Sequence, residues 1–369
     1  MLSDFYGKDP FIHQLDSSSF EEEEEKPMKK VNQYLLLQTL GEGSFAKVFL
    51  ALDTHTQKYY AMKRFKLRDL QHIDAGVSQL EREISAMRKI VHPNIIHLHD
   101  VLHVEDSDIV YLVIDYADCG SLQQILESPI PPNDSIIKYV FYSILNAVSY
   151  LHSHGIVHQD IKPSNILLCS DGNVYLSDFG VGHSFQSAAM VVGSPGYQAP
   201  EALCDFDLDP DTLNPAKEDV WSLGVTLYQV LFNDLPFKGE NVYEIVQNVT
   251  HNPLIIPEGT DEEIADLLHG MLNVMPGGRM DVEDVMRSPF FDDIVIFSHL
   301  NFDVIKPPKV SSDVKIENIT ARVCDTHYSF ARPNLTAEEL IKTITIVTPV
   351  EFQEFATEKS QTHKTYVNL

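Results

Sequence analysis

Residues 136–154, IIKYVFYSILNAVSYLHSH, are apolar on nearly every face that a helix would present. A helix of this kind is stable only when other protein elements surround it. The stretch DVWSLGVTLYQVLF, Asp219–Phe232, has the same character. Two buried helices need a large hydrophobic core, and a chain of 369 residues is long enough to form one. The sequence therefore predicts a sizeable α-helical layer in its second half.

The part of the chain that precedes these helices is strand-like. From residue 34 onward the segments YLLLQTL, KVFLAL and KYYAMKRF alternate in the way typical of a half-buried antiparallel sheet. Apolar residues then recur at helical spacing, at Leu80, Ile84, Met87 and Val91, and the strand-like segments IIHLHDV and IVYLVIDY follow. The predicted fold class is α+β, with a small β-rich lobe that carries one key helix and a larger α-helical lobe that ends near residue 291.

Acidic residues outnumber basic ones by 54 to 27, so the formal net charge is -27. Phosphate backbones and anionic lipid headgroups repel such a chain, which argues against nucleic-acid and membrane partners. No apolar run approaches the ~18 residues that span a bilayer. The four cysteines are widely spaced and form no CxxC pair, which favours a reducing compartment, the cytoplasm or the nucleus.

Three regions follow from the composition. Residues 1–33 contain SSSFEEEEEK, a block of like charges that cannot form a core, and are predicted to be a disordered acidic tail. Residues 34–292 hold the periodic segments and form the predicted globular domain. Residues 293–369 are a C-terminal tail in which Thr336 and Glu339 form a capping box for a short helix. This tail could block a cleft, bind a partner or pack on the larger lobe.

Leu40–Val48 reads LGEGSFAKV, a glycine-rich turn between two predicted strands. Its backbone N–H groups could cover a triphosphate, although by itself the pattern suits an ordinary hairpin equally well. Lys63 lies on the next strand, where its ammonium can reach the α- and β-phosphates. Glu83 on the amphipathic helix is the expected counter-ion, and such a pair at about 4 Å is worth about 4 kcal/mol at an effective dielectric constant of about 20.

The segment GIVHQDIKPSNILL, Gly155–Leu168, contains the predicted reactive centre. Asp160 is placed to accept the proton of a substrate hydroxyl, Lys162 to neutralise a phosphoryl group in transfer, and Asn165 to hold Mg²⁺. Asp178, in the sequence SDFG, offers a second Mg²⁺ ligand. These residue types at these spacings predict phosphoryl transfer.

The glycine loop, the lysine, the helix glutamate, HxDxKxxN, DFG and Ala199-Pro200-Glu201 occur in the order and at the spacings of one family. Over residues 34–291 the chain resembles the protein-kinase superfamily. The resemblance implies the bilobal protein kinase fold, ATP and Mg²⁺ as cofactors, and protein substrates. Lys162 after the aspartate is similar to serine/threonine kinases. GVTLYQVLFNDLPFKGENVYEIVQNV and VVGSPGYQAPE look like the calmodulin-dependent-kinase-like kinases upstream of the AMP-activated kinase, which include the liver tumour-suppressor kinase and the calmodulin-dependent kinase kinases.

The same resemblance assigns the nucleotide site. Ile114 would be the gatekeeper, and Asp115 to Ala117 the hinge whose backbone reads the edge of the adenine. Asp219 would anchor the catalytic loop, and Arg279 would pair with buried Glu201. The residues expected to contact ATP are Leu40, Gly41, Glu42, Gly43, Ser44, Phe45, Ala46, Lys47, Val48, Ala61, Lys63, Ile114, Asp115, Ala117, Leu167 and Asp178.

Gln159 stands where many kinases have an arginine that receives a phosphate from the activation segment. The usual phosphoacceptor position, three residues before Gly193, is Met190, which cannot be phosphorylated. Receiver and acceptor are both absent while the catalytic residues are complete, so we expect an active kinase that needs no such phosphate. The activation segment, residues 178–201, would be ordered by its own contacts or by an activating partner protein.

Three function classes remain open at this point. The first is a protein serine/threonine kinase with a monomeric catalytic domain, whose protein substrates include other kinases. The second is a pseudokinase that binds ATP and partners as a scaffold, although such proteins typically lack Lys63, Asp160 or Asp178. The third is a kinase for a small metabolite, which the peptide-docking element GSPGYQAPE argues against.

Overall fold

A computed structural model describes residues 27–43, 46–72, 76–129, 131–178, 195–203, 214–311, 314–325, 329–330 and 367–368. Within these residues a small lobe, built mainly from strands, is followed in the chain by a larger lobe built mainly from helices. The predicted α+β class is confirmed. Residues 1–26 of the predicted acidic tail and the Thr336–Glu339 capping box lie outside the described residues, whereas Met28–Val31, within the tail predicted to be disordered, form a strand.

The strands lie mostly in the first half of the chain. In chain order they are β1 Met28–Val31, β2 Tyr34–Glu42, β3 Ala46–Asp53, β4 Tyr59–Lys66, β5 Leu98–Val104, β6 Ile109–Asp115, β7 Gly120–Ser121, β8 Ile156–Val157, β9 Ile166–Leu168, β10 Val174–Leu176, β11 Ile316–Ile319, β12 Ala321–Val323 and β13 Val367–Asn368.

The small lobe is one eight-stranded sheet with the order β11-β1-β2-β3-β4-β6-β5-β12. Its two edge strands, β11 and β12, both come from the C-terminal tail. Only Thr320 separates them, so one short segment of chain covers both edges of the sheet. β11 covers β1 and β12 covers β5, so neither β1 nor β5 is an open edge for pairing with another chain.

Both faces of this sheet are buried, which fixes the direction in which the Lys63 side chain points. Tyr34, Leu36 and Met62 belong to a small apolar cluster on one face, while the other face packs against the main core. Successive side chains on a strand point to opposite faces. Because Met62 belongs to the small cluster, Lys63 points to the other face, toward the second helix and the large lobe.

The helices lie mostly in the larger lobe. In chain order they are α1 Leu67–Gln71, α2 Gly76–Met87, α3 Leu122–Leu126, α4 Asp134–Ser153, α5 Pro200–Leu203, α6 Ala216–Phe232, α7 Val242–His251, α8 Glu262–Met271 and α9 Val282–Met286. The two helices predicted to be buried, α4 and α6, form the centre of the lobe. The Asn133 side chain accepts a hydrogen bond from Ile136 N–H at 2.9 Å and caps α4 at its start.

Helix α2 ends at Met87, earlier than the predicted apolar stripe, which included Val91. Val91 is 71% exposed. Pro93 follows closely, and a proline disfavours helical backbone in the residue before it. The helical spacing of Val91 is therefore accidental, whereas Leu80, Ile84 and Met87 are buried as predicted.

The described part of the C-terminal tail passes from the large lobe to the small lobe. Ile305 N–H donates to the Asp118 carbonyl oxygen at 2.7 Å. Tyr116, in the hinge between the lobes, donates its hydroxyl to the Ile305 carbonyl oxygen at 3.0 Å. Of the three roles left open for the tail, packing is the one observed, and it involves both lobes.

Candidate active site

The catalytic loop follows strand β8 and ends in a 3-10 turn at Pro163–Asn165. Asp160 is buried, and its carboxylate oxygen Oδ2 accepts hydrogen bonds from Lys162 Nζ at 2.8 Å and from Asn165 Nδ2 at 2.9 Å. The Asn165 amide also donates to the Asp160 carbonyl oxygen at 2.8 Å. The structure thus brings three predicted residues together in one hydrogen-bonded cluster.

Asp219, in the buried centre of the large lobe, holds this loop in place. Its carboxylate accepts hydrogen bonds from the backbone N–H groups of His158 at 2.9 Å and Gln159 at 2.7 Å, and it lies 2.8 Å from His152 Nε2. Burial would raise the pKa of Asp219, but the bonds and charges of His152 and His158 outweigh it, and the pKa lies below its ordinary value. The predicted anchor of the catalytic loop is confirmed.

His158 links the catalytic loop to the segment that carries Asp178. Its Nε2 lies 3.0 Å from the Ser177 carbonyl oxygen, and Ser177 N–H donates to the Asn165 carbonyl oxygen at 2.9 Å. Burial lowers the pKa of His158, so the neutral imidazole donates its Nε2–H to that carbonyl. The loop and Asp178, which follows Ser177, are therefore held in a fixed relation.

Lys63 on β4 and Asp178 after β10 form an ion pair between the two lobes. Burial alone would lower the pKa of Lys63, but Asp178 and Glu83 raise it above its ordinary value. Asp178 has a left-handed φ of 59°, a conformation that Asp adopts more readily than most residues. The predicted phosphate-binding lysine and the predicted metal-binding carboxylate are therefore in direct contact.

Glu83 lies close to this pair on α2 but is not bonded to Lys63. The sequence predicts a Lys63–Glu83 pair, whereas in the structure the Lys63 ammonium bonds Asp178 and the buried Glu83 Oε2 has no hydrogen-bond partner. Burial raises the pKa of Glu83 to about 8, although Lys63 opposes this shift. The predicted pair is not formed in this conformation, in which the Lys63 ammonium bonds the Asp178 carboxylate instead.

The glycine-rich turn joins β2 to β3, as predicted. Gly43 N–H donates to the Ala46 carbonyl oxygen at 2.8 Å, which closes the turn. A Cβ atom at Gly41 would meet no atom within 4 Å, so the backbone here borders open space that a phosphate can approach. Glu42 and Lys47 face each other across the hairpin and form an ion pair at 2.7 Å.

The apolar residues predicted to contact ATP lie on β2, β3, β4, β6 and β9 and in the hinge. Ala61 lies opposite Ile114 in the β4–β6 pair, and Gly41 lies opposite Val48 in the β2–β3 pair. Small residues at 61 and 117 leave room for a planar ring. The buried members of the set are Ala61 and Ala117, and the half-buried ones are Leu40, Val48, Ile114 and Leu167.

The side chain of Asp115, the first hinge residue, bonds to residues near β5. One carboxylate oxygen accepts a hydrogen bond from His97 N–H at 2.9 Å, and the other lies 2.7 Å from His99 Nε2. His103 Nε2 lies 2.9 Å from the Ser107 carbonyl oxygen. The three clustered histidines of the sequence thus bond within the β5–β6 region, and the hinge can address a ligand only through its backbone.

Glu201 and Arg279 form the predicted buried ion pair. The guanidinium is 2% exposed and makes two parallel bonds to the carboxylate, of 2.6 Å and 3.0 Å. Arg279 also stacks over Trp221 at 5.0 Å. Because both charges are buried, removal of either one would leave the other uncompensated at a cost of roughly 3–5 kcal/mol.

Several predicted residues lie outside the described part of the chain, which omits residues 44–45 and 179–194. They are Ser44 and Phe45 of the glycine loop, Phe179 and Gly180 after Asp178, and Met190 and Gly193 of the activation segment.

The protein kinase domain family matches residues 34–291, which is most of the chain. The chain belongs to the protein kinase family. The predicted superfamily and its two-lobed fold are thereby confirmed. For this family, ATP is the phosphoryl donor and proteins are the substrates.

Curated proteins similar to this kinase come from animals and plants. The serine/threonine-protein kinase stk11 of Xenopus laevis is 35% identical over 318 residues, which cover 84% of this chain and 72% of that protein. The human serine/threonine-protein kinase STK11 is 35% identical over 294 residues, 77% of this chain and 67% of the relative. The serine/threonine-protein kinase GRIK1 of Arabidopsis thaliana is 30% identical over 277 residues, 73% of this chain and 69% of the relative.

The side-chain oxygens of Asn165 and Asp178 fit the Mg²⁺ that this family implies. With Nδ2 turned to Asp160, Asn165 presents its carbonyl oxygen to a metal, and Asp178 supplies a carboxylate on a side chain that is 42% exposed. In ATP sites Mg²⁺ typically takes oxygen ligands from one or two side chains and completes its shell with phosphate oxygens and water. The donor set present here is of that kind.

Glu218 is a residue of this site that the sequence reasoning missed. It precedes Asp219 on α6, and its Oε2 accepts a hydrogen bond from Gln159 Nε2 at 3.2 Å. Burial and the neighbouring Asp219 raise the pKa of Glu218 to about 7. The sequence shows a carboxylate next to the expected anchor, but only the fold shows that this carboxylate faces position 159.

In the part of the chain that the structure describes, no helix combines the length and the apolar character needed to cross a membrane.

Proposed function

We propose that this chain is an active ATP-dependent protein serine/threonine kinase. The observation that carries the proposal is the hydrogen-bonded cluster of Asp160, Lys162 and Asn165, which is linked through Ser177 to Asp178. The scaffold alternative predicts that at least one of the residues needed for catalysis is missing or misplaced. Here Lys63, Asp160 and Asp178 are all present, and Lys63 and Asp178 are in direct contact, which supports the kinase over the scaffold.

In this proposal the Asp160 carboxylate accepts the proton of the substrate hydroxyl while the hydroxyl oxygen attacks the γ-phosphorus, and the bond between the γ-phosphorus and its bridging oxygen breaks so that ADP leaves. The bonds from Lys162 and Asn165 orient that carboxylate. Lys162 also places a positive charge beside the phosphoryl group in transfer, where negative charge has to be stabilised.

Lys63 would bind the α- and β-phosphates, and Glu83 would hold the lysine there. Burial raises the pKa of Glu83 to about 8, so a direct bond to the Lys63 ammonium would relieve an unfavourable buried carboxylate. Bound Mg²⁺, held by Asn165 and Asp178, would neutralise charge on the phosphates. The glycine loop, Leu40–Val48, and the hinge remain the proposed contacts of the nucleotide.

Serine and threonine specificity is supported by Lys162 and by the relatives, each of which is named a serine/threonine-protein kinase. Residues 224–249 resemble the kinases that act upstream of the AMP-activated kinase. We therefore include other kinases among the proposed substrates.

Activity in this proposal requires no phosphate on the activation segment. Gln159 is uncharged, and its side chain donates to Glu218 Oε2. Glu218 and Asp219 place carboxylates beside position 159, where an arginine would otherwise attract a phosphate. The activation segment would be ordered by its own contacts or by a partner protein.

The described cysteines support a reducing compartment, the cytoplasm or the nucleus. Cys119, Cys169 and Cys324 are free and buried. Burial raises the pKa of Cys119 and Cys169 to about 12 and that of Cys324 to about 11, so all three remain unreactive thiols.

Phosphate transfer by the purified chain tests this function. The substrates are a generic protein and a peptide from an AMP-activated-kinase activation loop. We expect Asp160→Asn to lower kcat by about 10²–10⁴-fold, because the general base is lost. The matched control is Asp293→Asn, at an exposed position of the tail, which should keep full activity. Phosphatase treatment of the wild type should leave its activity unchanged.

Two other results would contradict the proposal. If neither the wild type nor Asp160→Asn transfers phosphate, although both still bind ATP, the scaffold alternative would be favoured. A loss of activity after phosphatase treatment that maps to Ser184, Ser187 or Ser194 would show that a phosphate on the activation segment is required.

A further inference from the structure

The C-terminal tail is built into the small lobe that holds the nucleotide site. β11 pairs in parallel with β1, and β12 pairs antiparallel with β5. After β12, Cys324 N–H donates to the Val101 carbonyl oxygen at 2.8 Å, which continues the pairing with β5. We name residues 316–325, together with 329–330, the closing segment. Its position is set by the backbone register of two strands.

Arg88, in the turn that follows helix α2, is bonded to the closing segment. Its guanidinium donates to the carbonyl oxygens of Cys324 and Asp325. Its backbone N–H donates to the Ile84 carbonyl oxygen at 3.1 Å, which makes the arginine continuous with the helix. Hydrogen bonds with a charged donor are roughly twice as strong as neutral ones. Arg88 therefore ties the end of α2 to the sheet.

Glu81 forms a second tie within α2. Its Oε1 accepts hydrogen bonds from Ser329 Oγ at 2.9 Å and from Phe330 N–H. The Phe330 residue is 4% exposed, and its ring packs edge-on against His103 of β5 with ring centroids 5.8 Å apart. The closing segment is thus fixed between α2 and β5.

The two ties lie on the face of α2 opposite Glu83. Glu81, Ile84 and Arg88 share one face, because residues three or four apart are neighbours on a helix. Glu83 is two residues from Glu81, a rotation of about 200° about the helix axis. On its own face Glu83 is 2% exposed and lies near enough to Lys63 to raise the lysine pKa.

We propose that Glu81 and Arg88, by binding the closing segment, are positioning residues for Glu83. The inference deepens the proposed function and rests on it. A buried carboxylate oxygen without a hydrogen-bond partner favours movements that bring it to water. The two ties resist such a movement of α2 and keep Glu83 within reach of Lys63. The kinase therefore depends on tail residues outside the family match, which ends at residue 291.

A double-mutant cycle in the full-length chain tests the proposal. Arg88→Ala should lower kcat/KM for ATP roughly tenfold. Arg88→Lys should restore part of the loss, because it keeps the charge but loses the forked donor. In a Glu83→Gln background, Arg88→Ala should cause less than about twofold further loss, because its effect passes through Glu83. Glu81→Ala cuts the other tie and should behave in the same way.

Arg82→Ala is the matched control for these variants. Arg82 lies on the same helix, is exposed, and bonds Ser78 and Gln79 of that helix. It should leave kcat/KM unchanged in both backgrounds. A loss as large as that of Arg88→Ala would overturn the assignment of Arg88, because it would show that any change on this helix has the same effect.

Amide hydrogen exchange gives a second readout that needs no activity. Arg88→Ala and Glu81→Ala should speed exchange in α2 roughly tenfold and leave α4 unchanged. Two results would overturn the proposal. One is unchanged amide exchange in α2. The other is a loss of kcat/KM from Arg88→Ala that is as large in the Glu83→Gln background as in the wild type. If the variants speed exchange in α2 as expected but the wild type transfers no phosphate, the anchoring of α2 by Glu81 and Arg88 is supported and the proposed kinase activity is contradicted.

Discussion

Gln159 and Asp178 both have left-handed backbone torsions, with φ of 63° and 59°. Neither is a glycine, so the surroundings must hold each conformation. Gln159 is held by its N–H bond to Asp219 and its side-chain bond to Glu218. Asp178 is held by Lys63. Charged groups from α6 and β4 therefore determine where the catalytic loop and the Asp178 carboxylate lie.

Glu218 should make the stability of the fold depend on pH. Its pKa rises from 4.5 in the unfolded chain to about 7 in the fold, owing to burial and to Asp219, with Glu201 nearby and with Gln159 and Arg279 opposing the shift. A raised carboxyl pKa stabilises the fold at low pH, and this contribution is lost as pH rises from about 4.5 through 7. The free energy of unfolding of Glu218→Gln, relative to that of the wild type, should therefore increase by roughly 2 kcal/mol between pH 5 and pH 8.

Thermal unfolding of both proteins across this pH range measures the effect. Glu127→Gln is the matched control, because Glu127 accepts the same kind of bond, from Gln123 at 2.8 Å, at an exposed site. A Glu218→Gln difference that stays constant with pH would mean that Glu218 does not titrate in this range.

At the scale of elements, the closing strands depend on one side chain of the β1–β2 turn. Asn32 donates from Nδ2 to the Ala321 carbonyl oxygen and accepts at Oδ1 from Ala321 N–H, both at 2.9 Å. Its φ of 49° also suits asparagine better than most residues. Asn32→Ala should therefore lower the free energy of unfolding by roughly 2–3 kcal/mol.

Gln57→Ala, compared with Asn32→Ala by chemical denaturation, separates the contribution of the left-handed backbone from that of the hydrogen bonds to Ala321. Gln57 has a similar φ of 60° in an exposed turn, and its side chain bonds only locally, to the Thr54 carbonyl oxygen. Gln57→Ala should lower the free energy of unfolding by about 1 kcal/mol or less. Equal losses at the two positions would mean that the bonds to Ala321 add nothing to stability.

At the scale of the molecule, the buried packing of this chain extends beyond residue 292. The buried residues Leu300, Ala321, Cys324 and Phe330 all lie past that point. A chain that ends at residue 292 loses their burial and exposes the edges of β1 and β5. We expect its unfolding temperature to fall by roughly 5–10 °C, and we expect the exposed edges to promote self-association.

Differential scanning calorimetry and light scattering check this expectation. A chain that ends at residue 330 is the control: it keeps β11, β12 and these buried residues, loses the pairing of β13 with β8, and should stay close to the full-length protein in both measurements. If the chain that ends at residue 292 matched it as well, the tail would be an accessory to the fold rather than a part of it.

The catalytic loop could be predicted well because its geometry is local. Asp160, Lys162 and Asn165 lie within six residues, so one loop conformation brings them together. Asp219 and the Glu201–Arg279 pair were predicted through the family resemblance, and the structure places them as expected. The ion-pair partner of Lys63 could not be predicted from the sequence, because Glu83 and Asp178 both carry a suitable charge and come from different lobes.

The sequence by itself determined the fold class and the family, and it predicted the residues of the reactive centre. Periodic apolar residues fix helices and strands, and closely spaced motifs fix the chemistry that a loop can present. Only the tertiary structure decided the Gln159–Glu218 bond and the closure of the sheet by the tail. β1 and β11 are 285 residues apart in the chain, from Val31 to Ile316. Such pairings depend on backbone registers and packed faces that form only when distant segments meet, and no local pattern encodes them.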